Sequence, residues 1–491
     1  MDNLFLAGRV DETLAMLHRE VAADRYGPRQ QAVLLGRLGA CYATQRPALS
    51  LTYLGRALDQ DRDAAGRSWA LTMLASLAAR FGHPDATDLL ARAERAHATA
   101  PAPGGEIRLA LARASLAAGI GDLAGAARFL REVDATEPTA RTQAIFLRLA
   151  RVASQVALGH YVDAASALDA VGAEIDTLGL VAQPLFTALD CTVRLATGEL
   201  AEAEARARLA LREPGTSMPV EARVDLLATV VEVLLRRGEV GPARALLARE
   251  RPAVDWPDHM QWFRLGCAAA EDPEPDRHAA LLRATLDIPN RTRAPLLLVP
   301  HHGPRLVRVA LALGDRHRAE VLAGHLKRAA GTANNRLWRG VAHQADGLLT
   351  GDPAALHAAV RLLRTTSARP ALADALRDLA SVPGLPAVQA RDVRAEYAAM
   401  YTRMGATGDL TPGRTPAPAD PAPPTLATLT PAEVRVAELL AVGMTKQEAA
   451  RDLFVSFHTV DTHLRAIYAK LDVRNRVELA LVWEAGQHDD R

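Results

Sequence analysis

Residues 159–168 read GHYVDAASAL, and from Gly198 the chain reads GELAEAEARA. The phrase returns as GEVGPARALL from Gly238 and GDRHRAEVLA from Gly314, and GDLAGAARFL precedes them all from Gly121. In each copy a glycine is followed five positions later by alanine, at Ala126, Ala164, Ala203, Ala243 and Ala319. The steps are 159 − 121 = 38, 198 − 159 = 39, 238 − 198 = 40 and 314 − 238 = 76, which is twice 38. Looser copies begin at Gly8, Gly82 and Gly351. A fixed period in this range signals a solenoid, because one short unit cannot bury its apolar face alone and must stack on neighbours. The glycine suits the left-handed residue that ends a first helix, and the alanine lets a second helix pack closely against it. From residue 1 to about 405, apolar residues fall at helical spacing with almost no strand-like alternation, so the expected fold class is all-α.

The phrase resembles the GxxxxA turn of the tetratricopeptide repeat, on a repeat a few residues longer than that family's roughly 34. The resemblance covers most of residues 1–400 and is weak near 20–75 and 255–300. A helix of such an array is expected to be structural, and the scattered tryptophans and the pair His301-His302 fall under that expectation. Two adjacent histidines point different ways on a helix, and no Cys or carboxylate nearby in sequence completes a metal set, so no metal or cofactor is expected.

Composition narrows the function classes. The chain has 491 residues, 49% hydrophobic and 23% charged, with a net charge of +1, so any basic footprint must be local. The three cysteines, Cys41, Cys191 and Cys267, are far apart and form no metal spacing, which fits a reducing cytoplasm. The opening MDNLFLAGRVDET lacks a signal-peptide pattern, and stretches such as PLLLVP at 295–300 fall short of the roughly 20 apolar residues of a membrane span. Lysine occurs only at 327, 446 and 470, leaving 58 − 3 = 55 arginines, and no GK pair exists to build a phosphate-binding loop. No nucleophile with its base and no paired carboxylates stand out, so no enzyme is expected.

Residues 411–428, TPGRTPAPADPAPPTLAT, change character. Prolines 412, 416, 418, 421, 423 and 424 forbid helix and favour an extended spacer. The expected organisation is a helical repeat domain over 1–405, a Pro-rich linker over 406–428 and a compact helical module over 429–491. In that module Thr430-Pro431-Ala432-Glu433 opens a helix that stops at Gly443, with Leu429 placed to staple onto Val434. Thr445-Lys446-Gln447-Glu448 opens a second helix, Ser456 caps a third running to about Leu471, and Asn475 caps a fourth ending near Gly486. The second and third, joined by a tight turn, make a helix-turn-helix. Val460, Leu464, Ile467 and Leu471 form one apolar stripe, and the opposite face carries His458, Asp461, Thr462 and Arg465.

The run LTPAEVRVAELLAVGMTKQEAARDLFVSFHTVDTHLRAIYAKLDVRNRVELAL resembles the LuxR-type DNA-binding domain. The match takes in the LTPxE opening, the EAA scaffold turn, the VSxxTVxxHLxxIYxKLxVxxR core and the closing RVEL. Preceded by helical repeats, the chain is similar to the large LuxR regulators of the maltose-activator type, without their NTPase domain. The resemblance implies that helix 457–471 enters the major groove of operator DNA and that Lys446, Thr459, His463 and Lys470 contact phosphates. Asp461, Thr462 and Arg465 would face bases. It also implies pairing of two copies through the fourth helix, RNA polymerase as a partner, and a small-molecule or protein effector on the repeats. From 444 to 476 the charges sum to 6 − 4 = +2, a modest patch that favours a dimer. Asp461 stands where the family often has a basic residue. It can pair with Arg465 one turn on, accept from a cytosine amino group, or sit solvated at the groove edge. The competing expectation is a repeat scaffold whose terminal module binds protein.

Overall fold

The computed structural model describes residues 9–23, 25–43, 46–132, 141–178, 182–212, 218–250, 299–406, 429 and 431–441, and then 444, 446, 449, 450, 453, 460, 463, 464, 466–468, 470, 479 and 483. Among them every regular element is an α-helix, and no helix is long and apolar enough to cross a membrane. The chain divides into two compact units, Met1–Leu410 and Thr411–Arg491.

The first unit begins with α1 (Val10–Ala22), α2 (Pro28–Tyr42), α3 (Pro47–Gln60), α4 (Ala64–Arg80), α5 (Ala86–Thr99), α6 (Gly105–Gly119) and α7 (Leu123–Arg131). It continues through α8 (Arg141–Leu158), α9 (Tyr161–Leu178), α10 (Gln183–Thr197), α11 (Leu200–Arg212), α12 (Val220–Arg236) and α13 (Val240–Glu250). A second run holds α14 (His302–Ala312), α15 (Arg316–Ala333), α16 (Arg336–Thr350), α17 (Pro353–Leu363), α18 (Arg369–Ser381) and α19 (Ala387–Met404). Within each run consecutive helices pack together, and the even-numbered helices α2, α4, α6, α8, α10 and α12 touch one another in series, as α14, α16 and α18 do. The even helices therefore form one layer of a stacked array, consistent with a tetratricopeptide-like solenoid.

The repeated phrase does in the structure what its residues dictate. Gly121, Gly159, Gly198, Gly238 and Gly314 all take positive φ, from 73° to 91°. The residue after each donates its N–H to a carbonyl five back, as in His160 to Gln155 (2.9 Å), Glu199 to Arg194 (2.9 Å) and Asp315 to Ala310 (2.8 Å). That pattern occupies carbonyls a helix C-terminus would otherwise leave bare. The alanines five positions on are buried, with Ala164, Ala203 and Ala319 fully so. Where Asp follows the glycine it caps the next helix, Asp122 accepting from the Gly125 N–H and Asp315 from the Arg318 N–H.

The second run does not merely follow the first; it packs onto it. Helix α15 touches α7 and α18 touches α10, and one core joins Leu123, Val152, Leu195 and Val233 to Leu306, Trp338, Leu372 and Tyr401. Polar side chains of the second run complete helix ends of the first. Thr332 Oγ1 donates to the Gly121 carbonyl, Asn335 Nδ2 to that of Leu158 and Trp338 Nε1 to that of Ala157, each at 2.7 Å. Asn335 also caps its own helix, its Oδ1 accepting from the Trp338 N–H.

In the second unit, α20 (Pro431–Ala441) lies where the opening signals put it, and the Met444 N–H closes its end on the Leu439 carbonyl. Leu429, Val436, Ala437, Leu440, Ala449, Ala450, Val460, Leu464, Ile467, Leu479 and Trp483 form its core, with Val434 packed on the edge. Val460, Leu464 and Ile467 are thus inward, as their spacing requires. Leu471, Gly443 and the Pro-rich segment 411–428 lie outside the described residues.

Candidate nucleic-acid interface and a buried charge cluster

Of the candidate DNA-binding residues of the helix-turn-helix, the structure describes Lys446, His463 and Lys470; Ser456, His458, Thr459, Asp461, Thr462 and Arg465 lie outside the described residues. Lys446 and His463 are half-buried, His463 next to inward-facing Leu464 on the helix. Lys470 is engaged inside the domain: its Nζ donates to Glu433 Oε2 at 2.7 Å. The Glu433 carboxylate is only 6% exposed, while the lysine is 38% exposed. An ammonium carries three donors, and one of them ties Lys470 to α20.

The pair changes the charge balance. Glu433 falls outside the window of 444–476, yet in space it engages one of the six cations counted there. Sequence reading gave Glu433 only a capping role, because nothing local connects it to a lysine 37 positions on. Lys470→Met strips a buried carboxylate of this donor, and a loss of about 1–3 kcal/mol in the stability of the C-terminal unit is expected, followed by Trp483 emission in a denaturant titration. An unchanged midpoint would mean that solvent replaces the lysine.

Residues 427–483 match the family model for bacterial regulatory proteins of the luxR family. Over 51 residues the chain is 47% identical to proteins named as HTH-type transcriptional regulators in Mycobacterium bovis and Mycobacterium tuberculosis. The C-terminal domain is a LuxR-family helix-turn-helix. The matched segment is 10% of this chain and 6% of each relative, so the likeness is one of this domain.

Far from the LuxR-type domain in sequence, the helical unit encloses a polar cluster that sequence reading missed. His301 Nε2 lies 2.8 Å from Glu232 Oε1, and His302 Nε2 lies 3.0 Å from Glu232 Oε2. The expectation that adjacent histidines diverge and lack a carboxylate is corrected here. His301 stands just before α14, His302 is its first residue, and both rings meet one carboxylate brought in by α12. The single signal was Glu232 itself, an acid inside the apolar run VVEVLL.

These three side chains offer donor atoms within 4.8 Å of one another, the layout of a metal site. The surrounding charges argue against that use. Glu232 Oε1 also accepts from Arg236 Nε at 3.0 Å and Arg305 Nη2 at 2.8 Å, and both guanidinium groups bridge on to Asp374. Two buried carboxylates, Glu232 and Asp374, thus face two buried arginines, and Tyr401 joins Arg236 and Asp374. A divalent ion about 5 Å from each guanidinium would be repelled by roughly 7 kcal/mol apiece even at an effective dielectric of about 20. The cluster is a buried ion network, and Arg377 reaches Asp374 from its edge.

Burial alone would raise the Glu232 carboxyl, but the positive charges of His301 and Arg236 and the imidazole hydrogen bonds outweigh it and hold it well below the ordinary 4.5. Asp374 is likewise pressed below 3.8: burial opposes, and Arg236, Arg377, His301 and Arg308 prevail. Carboxyls depressed in the folded state stabilise it above their unfolded values and lose that contribution as pH falls through the folded ones. The network is therefore expected to be intact above pH 4.5 and to fail in more acid solution. An acid titration by circular dichroism checks this: Glu232→Gln should flatten the acid limb, and superimposable limbs would refute the assignment.

Proposed function

We propose that the chain is a sequence-specific DNA-binding transcription regulator, an activator, that grips operator DNA as a homodimer in the cytoplasm. Helix 457–471 reads the major groove, with Asp461, Thr462 and Arg465 toward bases and His458 beside them. Lys446, Thr459, His463 and Lys470 meet the backbone, with Ser456 at the start of the same helix, and Lys470 does so beside its bond to Glu433. The helical repeats over 1–405 sense a small molecule or protein, the linker 406–428 tethers the reader, and RNA polymerase is the downstream partner. The match of residues 427–483 to the luxR family carries this reading.

The weak patch gives the reading a quantitative edge. With only six cations against four acids over 444–476, and one of those cations held by Glu433, one domain neutralises few phosphates, so two domains on two half-sites are required for useful affinity. The test is a selection from a random duplex library with the full-length protein and its Arg465→Ala and Asp461→Ala variants. A motif of two half-sites is expected. Arg465→Ala should cost about 1–3 kcal/mol per half-site and erase one base preference, since a bidentate contact to guanine is lost. Asp461→Ala should blur the motif while leaving affinity largely intact. No enrichment at low salt by the full chain, nor by residues 425–491 alone, would favour a scaffold whose terminal module binds protein.

A further inference from the structure

Arg108, on α6, is as buried as the arginines of the ion network but has none of their carboxylates. Its Nε donates to Thr72 Oγ1 at 2.9 Å and its Nη2 to the Pro103 carbonyl at 2.9 Å, both neutral oxygens. Its Nη1 is buried with no hydrogen-bond partner, and so is the Ser68 hydroxyl, one turn before Thr72 on α4. The guanidinium lies over the Trp69 ring, 5.9 Å from its centroid. Burial lowers its pKa to about 10, and no acidic neighbour offsets this. An uncompensated charge is the costliest group a core can hold, and cores that hold one normally supply its counter-charge.

Arg108 Nη2 reaches Pro103, just before the start of α6, whose N-cap is Gly104, without a side chain to cap the first N–H groups. A helix start favours negative charge, so the two features ask for the same occupant. Nε and one Nη2 hydrogen are committed to neutral oxygens, and the single positive charge that remains uncompensated balances a single negative one. We propose that Arg108 Nη1 and Ser68 Oγ form a binding site for a compact monovalent anion, a halide or the carboxylate of a small effector. The site lies in the unit proposed to sense, but its test requires no DNA.

The experiment titrates full-length protein with chloride or acetate against isethionate at fixed ionic strength. The readouts are the melting temperature and the part of the tryptophan emission lost in Trp69→Phe. Saturable responses are expected, with melting raised by roughly 3 °C at about 100 times the Kd. Chloride alone would assign a halide, whereas acetate binding more tightly would assign a carboxylate. Arg108→Met should abolish the response and melt no lower than wild type in isethionate, because it removes an unpaired buried charge. Ser68→Ala should keep the anion-free melting point and weaken the response. The proposal is overturned if the responses are linear and equal in wild type and Arg108→Met, if Arg108→Met melts lower in isethionate, or if phosphate saturates the site ahead of both monoanions.

Discussion

Glu232→Ala is expected to destabilise the helical unit by about 3–5 kcal/mol, the range found when one partner of a buried charge set is deleted. The carboxylate accepts from Arg236, Arg305, His301 and His302 at once. Its removal leaves two buried guanidinium groups sharing Asp374 and two imidazoles without that acceptor. Glu232→Gln keeps the volume and one acceptor oxygen but not the charge, so it should fall between wild type and alanine. Denaturant titration of the full chain by far-ultraviolet circular dichroism measures both, and the midpoint should move without a change of slope if the folded state keeps its extent. A loss below about 1 kcal/mol for the alanine variant would mean that the cluster is solvated in practice. A chelator should leave the wild-type midpoint where it is, and a drop on chelation would restore the metal assignment that the arginine charges oppose.

The repeat and the C-terminal core were legible for one reason: both are written in local spacing. A left-handed glycine and a buried alanine five residues on serve one turn, so Gly159 with Ala164 and Gly198 with Ala203 announce the hairpins without any knowledge of their surroundings. Val460, Leu464 and Ile467 announce an inward face in the same way. The packing of α14–α19 on α7–α12 has no such signature. Its contacts join residues 69 to 211 positions apart, as His301 with Glu232 and Thr332 with Gly121. In a chain with 55 arginines, no single arginine in the sequence marks itself as buried. Glu433 shows the same limit within one domain: its helix-start role was legible, and its pairing with Lys470 belongs to the tertiary structure alone.

Trp338→Ala tests whether that long-range packing holds the helical unit together. Trp338 is fully buried in the core shared by both runs, and its indole N–H closes the Ala157 carbonyl at the end of α8. Loss of about 3–5 kcal/mol is expected from the cavity, whereas Trp338→Phe keeps most of the ring and should lose about 1–3 kcal/mol for the carbonyl left bare. The turn beneath it gives the effect a direction. Gly159 is so close to α16 that a Cβ there would lie 2.1 Å from Leu337 Cδ2, so the end of α8 and the start of α16 cannot loosen separately. Hydrogen exchange should accordingly rise in Trp338→Ala at both ends together, around His160 in the first run and around Trp338 in the second. Faster exchange confined to α16 would show that α8 is held by its own neighbours. If both rise, the two runs are one cooperative body, and an effector bound to either run would alter the stability of the other through this seam.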